Sequence, residues 1–424
     1  MVKRVLMVAY HFPPMNVSSG MQRTLRFAQY LPDYGWEPVI LTVHPRAYPS
    51  MSPAGLAEVP PHLHVKRAFA LNTAKHLSLR GRYPSFLALP DRWWSWCLGG
   101  IPAGLAMIRE LKPDVLWSTY PIATAHLIAY ALHRITGIPW VADFRDPVSV
   151  ADFFDPIAEP DDPRQAFEHR ALKWITYQTL KHSGRAVFTT PGTLRLYAQR
   201  YPDLPQSRLT IIENGYDEAA FAGATQAVNQ ARSDNGPLVL VHSGTVYPSA
   251  RDPRLFFGAL AQLLRNGDIK PDGLRVVLRA TGFDDHLRGL IEHYQIESIV
   301  TLAPALPYQA ALAEMLAADA LLVIQAANCN FQVPAKLYEY LRARRPIIAL
   351  TDPAGDTAAV LRNAGIDTIA RLDSQEEISR LLVRFIDLLR QQRAPVATDA
   401  TIAAASRRGR TIELASVLNE VSGR

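Results

Sequence analysis

The chain has 424 residues, enough for two or three domains with cores of their own. Hydrophobic residues make up 48% and charged residues 20%, which excludes disordered and fibrous classes, and two cysteines, Cys97 and Cys329, exclude a disulfide framework or a cysteine-rich zinc site. The net charge of +6 is uneven: residues 1–150 hold 15 Lys/Arg against 8 Asp/Glu, residues 151–215 hold 8 of each, and residues 216–424 hold 22 against 23. Such a local excess points to an anionic partner on the first third, whether membrane surface, phosphate or nucleic acid, unless it is scatter in ordinary surface charge.

Lys3 and Arg4 precede only a short apolar run before Pro13 and Pro14, so no secretory leader is expected. The first strand falls at 5–9, followed by a turn-like stretch and a helix from about 21 to 31. Strands are expected at 39–42, 115–117, 140–142, 186–189 and 209–212, with helices near 122–135 and 165–182 and from 191. Each strand is short, apolar and scarcely interrupted, the look of a parallel sheet buried on both faces. Segment 43–90 breaks the rhythm with seven prolines and the basic residues Lys66, Arg67, Lys75, Arg80 and Arg82, and is expected to be a long excursion of the first domain. The stretch 115–133 lacks Asp, Glu, Lys and Arg, but Ser118, Thr119, Pro121, Thr124, His126 and His133 break it, so no membrane span is expected and a cytoplasmic location follows.

The pattern dissolves at 223–236, rich in Gly, Ala, Asn and Gln, which reads as a linker. A second alternating series starts at 238–242. It continues with strands at 275–280, 299–302, 321–324 and 347–350, and helices near 254–265, 284–294, 308–317, 334–343, 357–364 and 376–392. A last helix, about 411–421, follows a break near Pro395. The expected organisation is therefore α/β: a first domain 1–222, a linker 223–236, a second domain 237–395 and a terminal segment 396–424. In two doubly wound domains, a ligand would lie at strand carboxyl ends, in the cleft between domains.

Four segments carry candidate chemistry. After the first strand, Tyr10-His11-Phe12-Pro13-Pro14-Met15-Asn16-Val17-Ser18-Ser19-Gly20 opens a helix; small residues there either let backbone N–H groups approach an anion or simply connect strand to helix with Ser19 as cap. The string Asp143-Phe144-Arg145-Asp146 follows a buried strand, where Arg145 could meet a phosphate and Asp143 or Asp146 a sugar hydroxyl; the alternative is an internal Arg–Asp pair that closes the turn. His242-Ser243-Gly244-Thr245, with Arg251 in the same loop, suits a phosphate or is a plain surface turn. Pro334-Ala335-Lys336-Leu337-Tyr338-Glu339 opens a helix whose free N–H groups and Lys336 would suit a diphosphate, with Glu339 for vicinal hydroxyls; the alternative is a solvated Lys336–Glu339 pair. No Asp-x-Asp triplet, His-x-x-x-His spacing, nucleophile elbow or P-loop occurs, so neither a divalent-metal site nor a nucleophile is offered.

With these segments in hand, the chain resembles bacterial glycosyltransferase family 4, two-domain enzymes of the GT-B fold. The resemblance runs over essentially the whole chain. It is carried by Phe12-Pro13-Pro14 with Gly20, Gln22 and Arg23; by Gly35-Trp36-Glu37-Pro38; by 138–147; by Ile212-Glu213-Asn214-Gly215-Tyr216-Asp217; by His242-Ser243-Gly244-Thr245 with Arg251-Asp252-Pro253; and by Pro334-Ala335-Lys336-Leu337-Tyr338-Glu339-Tyr340. The resemblance implies retaining transfer of a sugar from a nucleotide sugar to an acceptor, with no metal and no cofactor beyond the donor as co-substrate. Gly244, Thr245, Arg251, Pro334, Ala335 and Lys336 match the diphosphate contacts and Glu339 the ribose carboxylate. The 303–307 loop, with Leu306, looks like the segment facing the base. Ser19, Gly20, Asp143, Arg145 and Asp146 would face the transferred sugar, Gln22 and Arg23 the acceptor. The final helix would cross back to the first domain.

Three departures stand out: Ser18-Ser19 replaces the common Gly-Gly, Phe331 stands eight residues before Glu339 where many members have a second Glu, and Arg145 replaces a frequent His. The basic residues of 66–82 precede Trp93, Trp94 and Trp96, a combination that suits an anionic lipid surface, so peripheral contact at the inner face of the cell membrane and a saccharide or lipid-linked acceptor are expected, unless those tryptophans pack inside. The competing readings are a nucleotide-sugar epimerase or hydrolase of the same fold and a non-catalytic nucleotide-sugar or glycan-binding module. A nucleic-acid partner is not expected, for want of any binding motif.

Overall fold

The computed structural model describes residues 2–15, 19–80, 82–145, 163–225 and 236–423. The chain divides into two compact units, Met1–Asn214 with Arg407–Arg424, and Gly215–Ser406.

The first unit is built on seven parallel strands: β1 (Lys3–Val8), β2 (Trp36–Val43), β3 (His64–Ala68), β4 (Val115–Thr119), β5 (Trp140–Arg145), β6 (Arg185–Phe188) and β7 (Leu209–Ile211), in the order β3-β2-β1-β4-β5-β6-β7. Along β1, Leu6 and Val8 join one apolar cluster and Val5 and Met7 another. A strand buried on both faces has no polar side to alternate, which is why these runs read as continuous apolar sequence. The helix Arg407–Ser422 adds Leu414, Ala415, Val417 and Leu418 to the Val5–Met7 face.

The second unit repeats the plan with β8 (Leu238–Ser243), β9 (Leu274–Arg279), β10 (Val300–Ala303), β11 (Ala320–Ile324), β12 (Ile347–Leu350) and β13 (Ile369–Ala370), all parallel, in the order β10-β9-β8-β11-β12-β13. Both sheets contain the doubly wound order 3-2-1-4-5-6, whose direction reverses between the first and fourth strands; ligands gather outside the strand carboxyl ends at such a point.

Two expectations change. The first unit ends at Asn214 rather than 222, because the Tyr216 N–H donates to the Ala405 carbonyl and Phe221 enters the second unit's core, so the helix Glu218–Thr225 is part of that unit. Residues 396–406 likewise stay with the second unit, and only the chain from Arg407 returns. Most of the expected linker, 226–235, lies outside the described residues. Segment 43–90 also supplies β3, an edge strand of sequence HVKRA, whose charged exposed positions hid it from an apolar-run reading.

Candidate functional site

In the second unit, β8 ends at the point of reversal with His242 and Ser243, and the chain turns at Gly244 with φ +111°, a backbone region that side-chain-bearing residues rarely enter. A Cβ there would also stand 3.3 Å from Lys336 Nζ. The helix Lys336–Ala343 faces this turn. Lys336 donates to the Ser243 carbonyl (2.7 Å) and to His242 Nε2 (2.9 Å), and one turn on, Tyr340 Oη accepts from the Ser243 N–H (2.9 Å). On the other side of Gly244, Arg251 donates to the Thr245 carbonyl (2.5 Å) and lies over the Tyr247 ring. Two cationic side chains are thus moored to the carbonyls flanking one glycine.

Burial, then the neighbouring Arg251, pushes the Lys336 ammonium well below its ordinary range; burial also lowers Arg251. Burial, then Lys336, pushes His242 well below the usual imidazole range. Among the described residues neither Lys336 nor Arg251 forms an ion pair with a carboxylate, although fifteen such pairs occur elsewhere in them. Glu339 offsets the burial of Lys336 only in part, and a bound anion would offset the rest. The alternative, a solvated Lys336–Glu339 ion pair, is not seen among the described residues: Glu339 accepts from the Tyr308 hydroxyl (2.8 Å), and its charge attracts Lys336 without pairing with it. Pro334 and Ala335 lie just before the helix, with Ala335 as its cap. Leu306, 37% exposed, stands in the loop whose Pro304 carbonyl accepts from Arg279. His242 and Tyr340 stand inside segments that the sequence singles out, but with no role assigned to them there, and Tyr308 was missed; the i, i+4 spacing of Lys336 and Tyr340 on one helix was the available signal for the second.

The first unit gathers a second cluster at the carboxyl end of β1. Gly20 lies in the first turn of the helix Ser19–Tyr30, and a Cβ on it would fall 2.3 Å from Arg145 Nη1 and 2.6 Å from His11 Nδ1. Glycine is therefore required for a close approach. Register shifts between Asp143 and Arg145 at the end of β5, and Arg145 adopts φ +58°, which turns its guanidinium onto Gly20 and the Tyr120 carbonyl. Burial, then Arg145, lowers His11 to about 4.

Asp143 and Arg23 depart from the expectation. Their side chains, 1% and 2% exposed, meet in a two-pronged ion pair at 2.9 Å. Asp143 also accepts from Thr119, and Arg23 donates to the carbonyls of Ile212 and Glu213. Each is committed to the interior, so the alternative of an internal Arg–Asp pair is what the structure has, with Arg23 rather than Arg145 as the arginine. Gln22 is buried as well, whereas Asp146 and the Ser19 side chain lie outside what the structure describes. The tryptophans also turn inward: Trp96 is in the core, and the indoles of Trp93 and Trp94 donate to the carbonyls of Ala47 and Leu87.

Residues 19–215 match the family model described as a glycosyl transferase 4-like domain. That stretch, just under half of the chain, is what this protein shares with the glycosyl transferase 4-like family. No curated protein matches it in sequence. Among solved structures, the chain is similar to the sucrose-phosphate synthase of Thermosynechococcus elongatus, at 12% identity and a TM-score of 0.67, with 99% of this chain and 98% of that one covered. It is similar to HepE of Anabaena, solved with UDP and glucose, at 14% identity and 0.63, covering 99% and 100%. It is also similar to an α,α-trehalose-phosphate synthase of Burkholderia xenovorans, solved with glucose-6-phosphate, at 12% and 0.65, covering 98% and 100%. At these identities the likeness carries the fold, which is GT-B with two Rossmann-like units. Among the described residues, no helix is long and apolar enough to cross a membrane.

Proposed function

We propose that this protein is a family 4 glycosyltransferase that moves a sugar from a nucleotide sugar to a saccharide or lipid-linked acceptor, with retention of anomeric configuration and without a metal. The carrying observation is the convergence of Lys336 and Arg251 on the Gly244 turn with no carboxylate partner, which suits a diphosphate. HepE, solved with UDP and glucose, and the synthase solved with glucose-6-phosphate support a nucleotide donor and a saccharide acceptor. Glu339 takes the ribose hydroxyls, exchanging its Tyr308 hydrogen bond or sharing it, and the loop of Leu306 faces the base. Gly20 and Arg145 face the transferred sugar.

As the nucleoside diphosphate departs, negative charge grows on its oxygens. Lys336, Arg251 and the N–H groups at the start of the helix Lys336–Ala343 stabilise that charge in a site already oriented for it. The acceptor hydroxyl attacks from the face the phosphate leaves, and the leaving phosphate takes its proton.

A cytoplasmic enzyme with peripheral contact at an anionic membrane extends this reading. Its support is not the tryptophans but Leu79, 81% exposed and flanked by the basic residues Lys75, Arg80 and Arg82. A thermal-shift screen against the common nucleotide sugars tests the donor assignment: at least one should stabilise the wild type and lose its effect with Lys336→Met. No stabilisation by any of them would overturn it. Proton NMR of the product's anomeric signal decides retention, and unchanged turnover in EDTA decides metal independence.

A further inference from the structure

His242 is fully buried near the end of β8, and its ring joins two elements. Nδ1 lies 2.9 Å from the Leu322 carbonyl of β11, and Nε2 lies 2.9 Å from Lys336 Nζ. A carbonyl only accepts, so Nδ1 carries a ring proton; Nε2 faces the Lys336 ammonium, which can only donate, and is assigned the acceptor role, with the Gly244 backbone also bonded to the ring. A doubly protonated ring would press an N–H against an ammonium; the ring is neutral.

The helix Lys336–Ala343 meanwhile grips Ser243 by both backbone groups, the carbonyl through Lys336 and the N–H through Tyr340. His242 supplies the remaining fixed point. An ammonium has three hydrogens, and two of them are directed at Ser243 O and His242 Nε2. The third is left for a ligand beside Gly244. A carboxylate in place of His242 would also fix the lysine, but it would cancel the charge the diphosphate needs and compete with it. An imidazole lone pair orients the ammonium without neutralising it.

We propose that His242 is a positioning residue for Lys336, its neutral imidazole holding the ammonium in place for the donor diphosphate before the donor arrives. The proposal rests on the donor-site reading above. It does not make His242 a contact of the substrate.

The test is a double-mutant cycle on the full chain, with UDP, GDP, ADP and dTDP titrated calorimetrically and the tightest of the four carried forward. His242→Phe should weaken that nucleotide about tenfold, the scale of one charge-assisted hydrogen bond. His242→Gln, whose amide oxygen can accept from Lys336, should restore most of the loss. In a Lys336→Met background, His242→Phe should cost nothing further, because the partner it positions is gone. Nitrogen-15 spectra of the wild type should show a protonated Nδ1 and an unprotonated Nε2 whose shift moves when the nucleotide binds; this readout stands even where His242→Phe fails to fold. Equal losses from His242→Phe in the wild-type and Lys336→Met backgrounds, or a protonated Nε2, would overturn the proposal while leaving the donor site intact. If Lys336→Met binds the nucleotide as the wild type does, the donor-site reading falls and this proposal with it.

Discussion

Two buried cationic sites in this protein look alike in sequence and differ in physics. In the first unit Arg23 meets Asp143, and the pair is closed by Thr119 and two backbone carbonyls. In the second, Lys336 and Arg251 are held by carbonyls, the His242 ring and the Tyr247 face, and among the described residues neither forms an ion pair with a carboxylate. A cation whose counter-charge is built in belongs to the architecture, and its loss leaves a carboxylate stranded. A cation left without one is pushed towards its neutral form by burial, and an anionic ligand restores its charge. Motif position at a strand's carboxyl end does not distinguish the two; the accounting of charge does.

The largest expected effect falls on the closed pair. Arg23→Met should destabilise the protein by about 3–5 kcal/mol by leaving Asp143 buried and unpaired, read as a fall in the denaturant midpoint. Adding Asp143→Leu should recover part of that loss; a single variant as stable as the wild type would break the comparison. Lys336→Met should do the reverse. Its folding stability should hold or rise, since no carboxylate is orphaned, while kcat falls by roughly 10²-fold, as for removal of one oriented donor to a developing anion.

Acid sharpens the contrast from the first unit's side. His126, hydrogen-bonded to Ser118, is lowered by burial to about 4, so the folded chain keeps it neutral while the unfolded chain takes up a proton below its ordinary 6.5. The unfolded state then binds more protons, so stability should fall as pH drops from 6.5 towards 4, by up to about 3 kcal/mol from this group. Urea titrations across that range should show a shallower slope in His126→Gln. The smallest effect belongs to the turn itself: Gly244→Ala, forced into a positive φ, should cost about 2 kcal/mol of stability and weaken donor binding, because its Cβ encroaches on Lys336.

Most of the architecture was legible because buried parallel strands announce themselves as short apolar runs between helical stretches. What escaped were features set by distant partners. β3 was hidden because an edge strand tolerates His64, Lys66 and Arg67. The unit boundary moved because Tyr216 bonds to Ala405, nearly two hundred residues on. Arg23 and Asp143 lie 120 positions apart, and nothing local in either segment says that they meet. The second-unit turn was legible as residues, Gly244, Arg251 and Lys336, but the roles of His242 and Tyr340 arise only where β8 and the helix Lys336–Ala343 come together.

The central claim is that the uncompensated pair holds the donor's diphosphate, and equilibrium binding tests it most directly. Calorimetric affinities of the tightest nucleoside diphosphate should fall by at least about tenfold in Lys336→Met and in Arg251→Ala, and stay unchanged in a surface variant such as Arg288→Ala. Equal affinity in the wild type and both site variants would contradict the account.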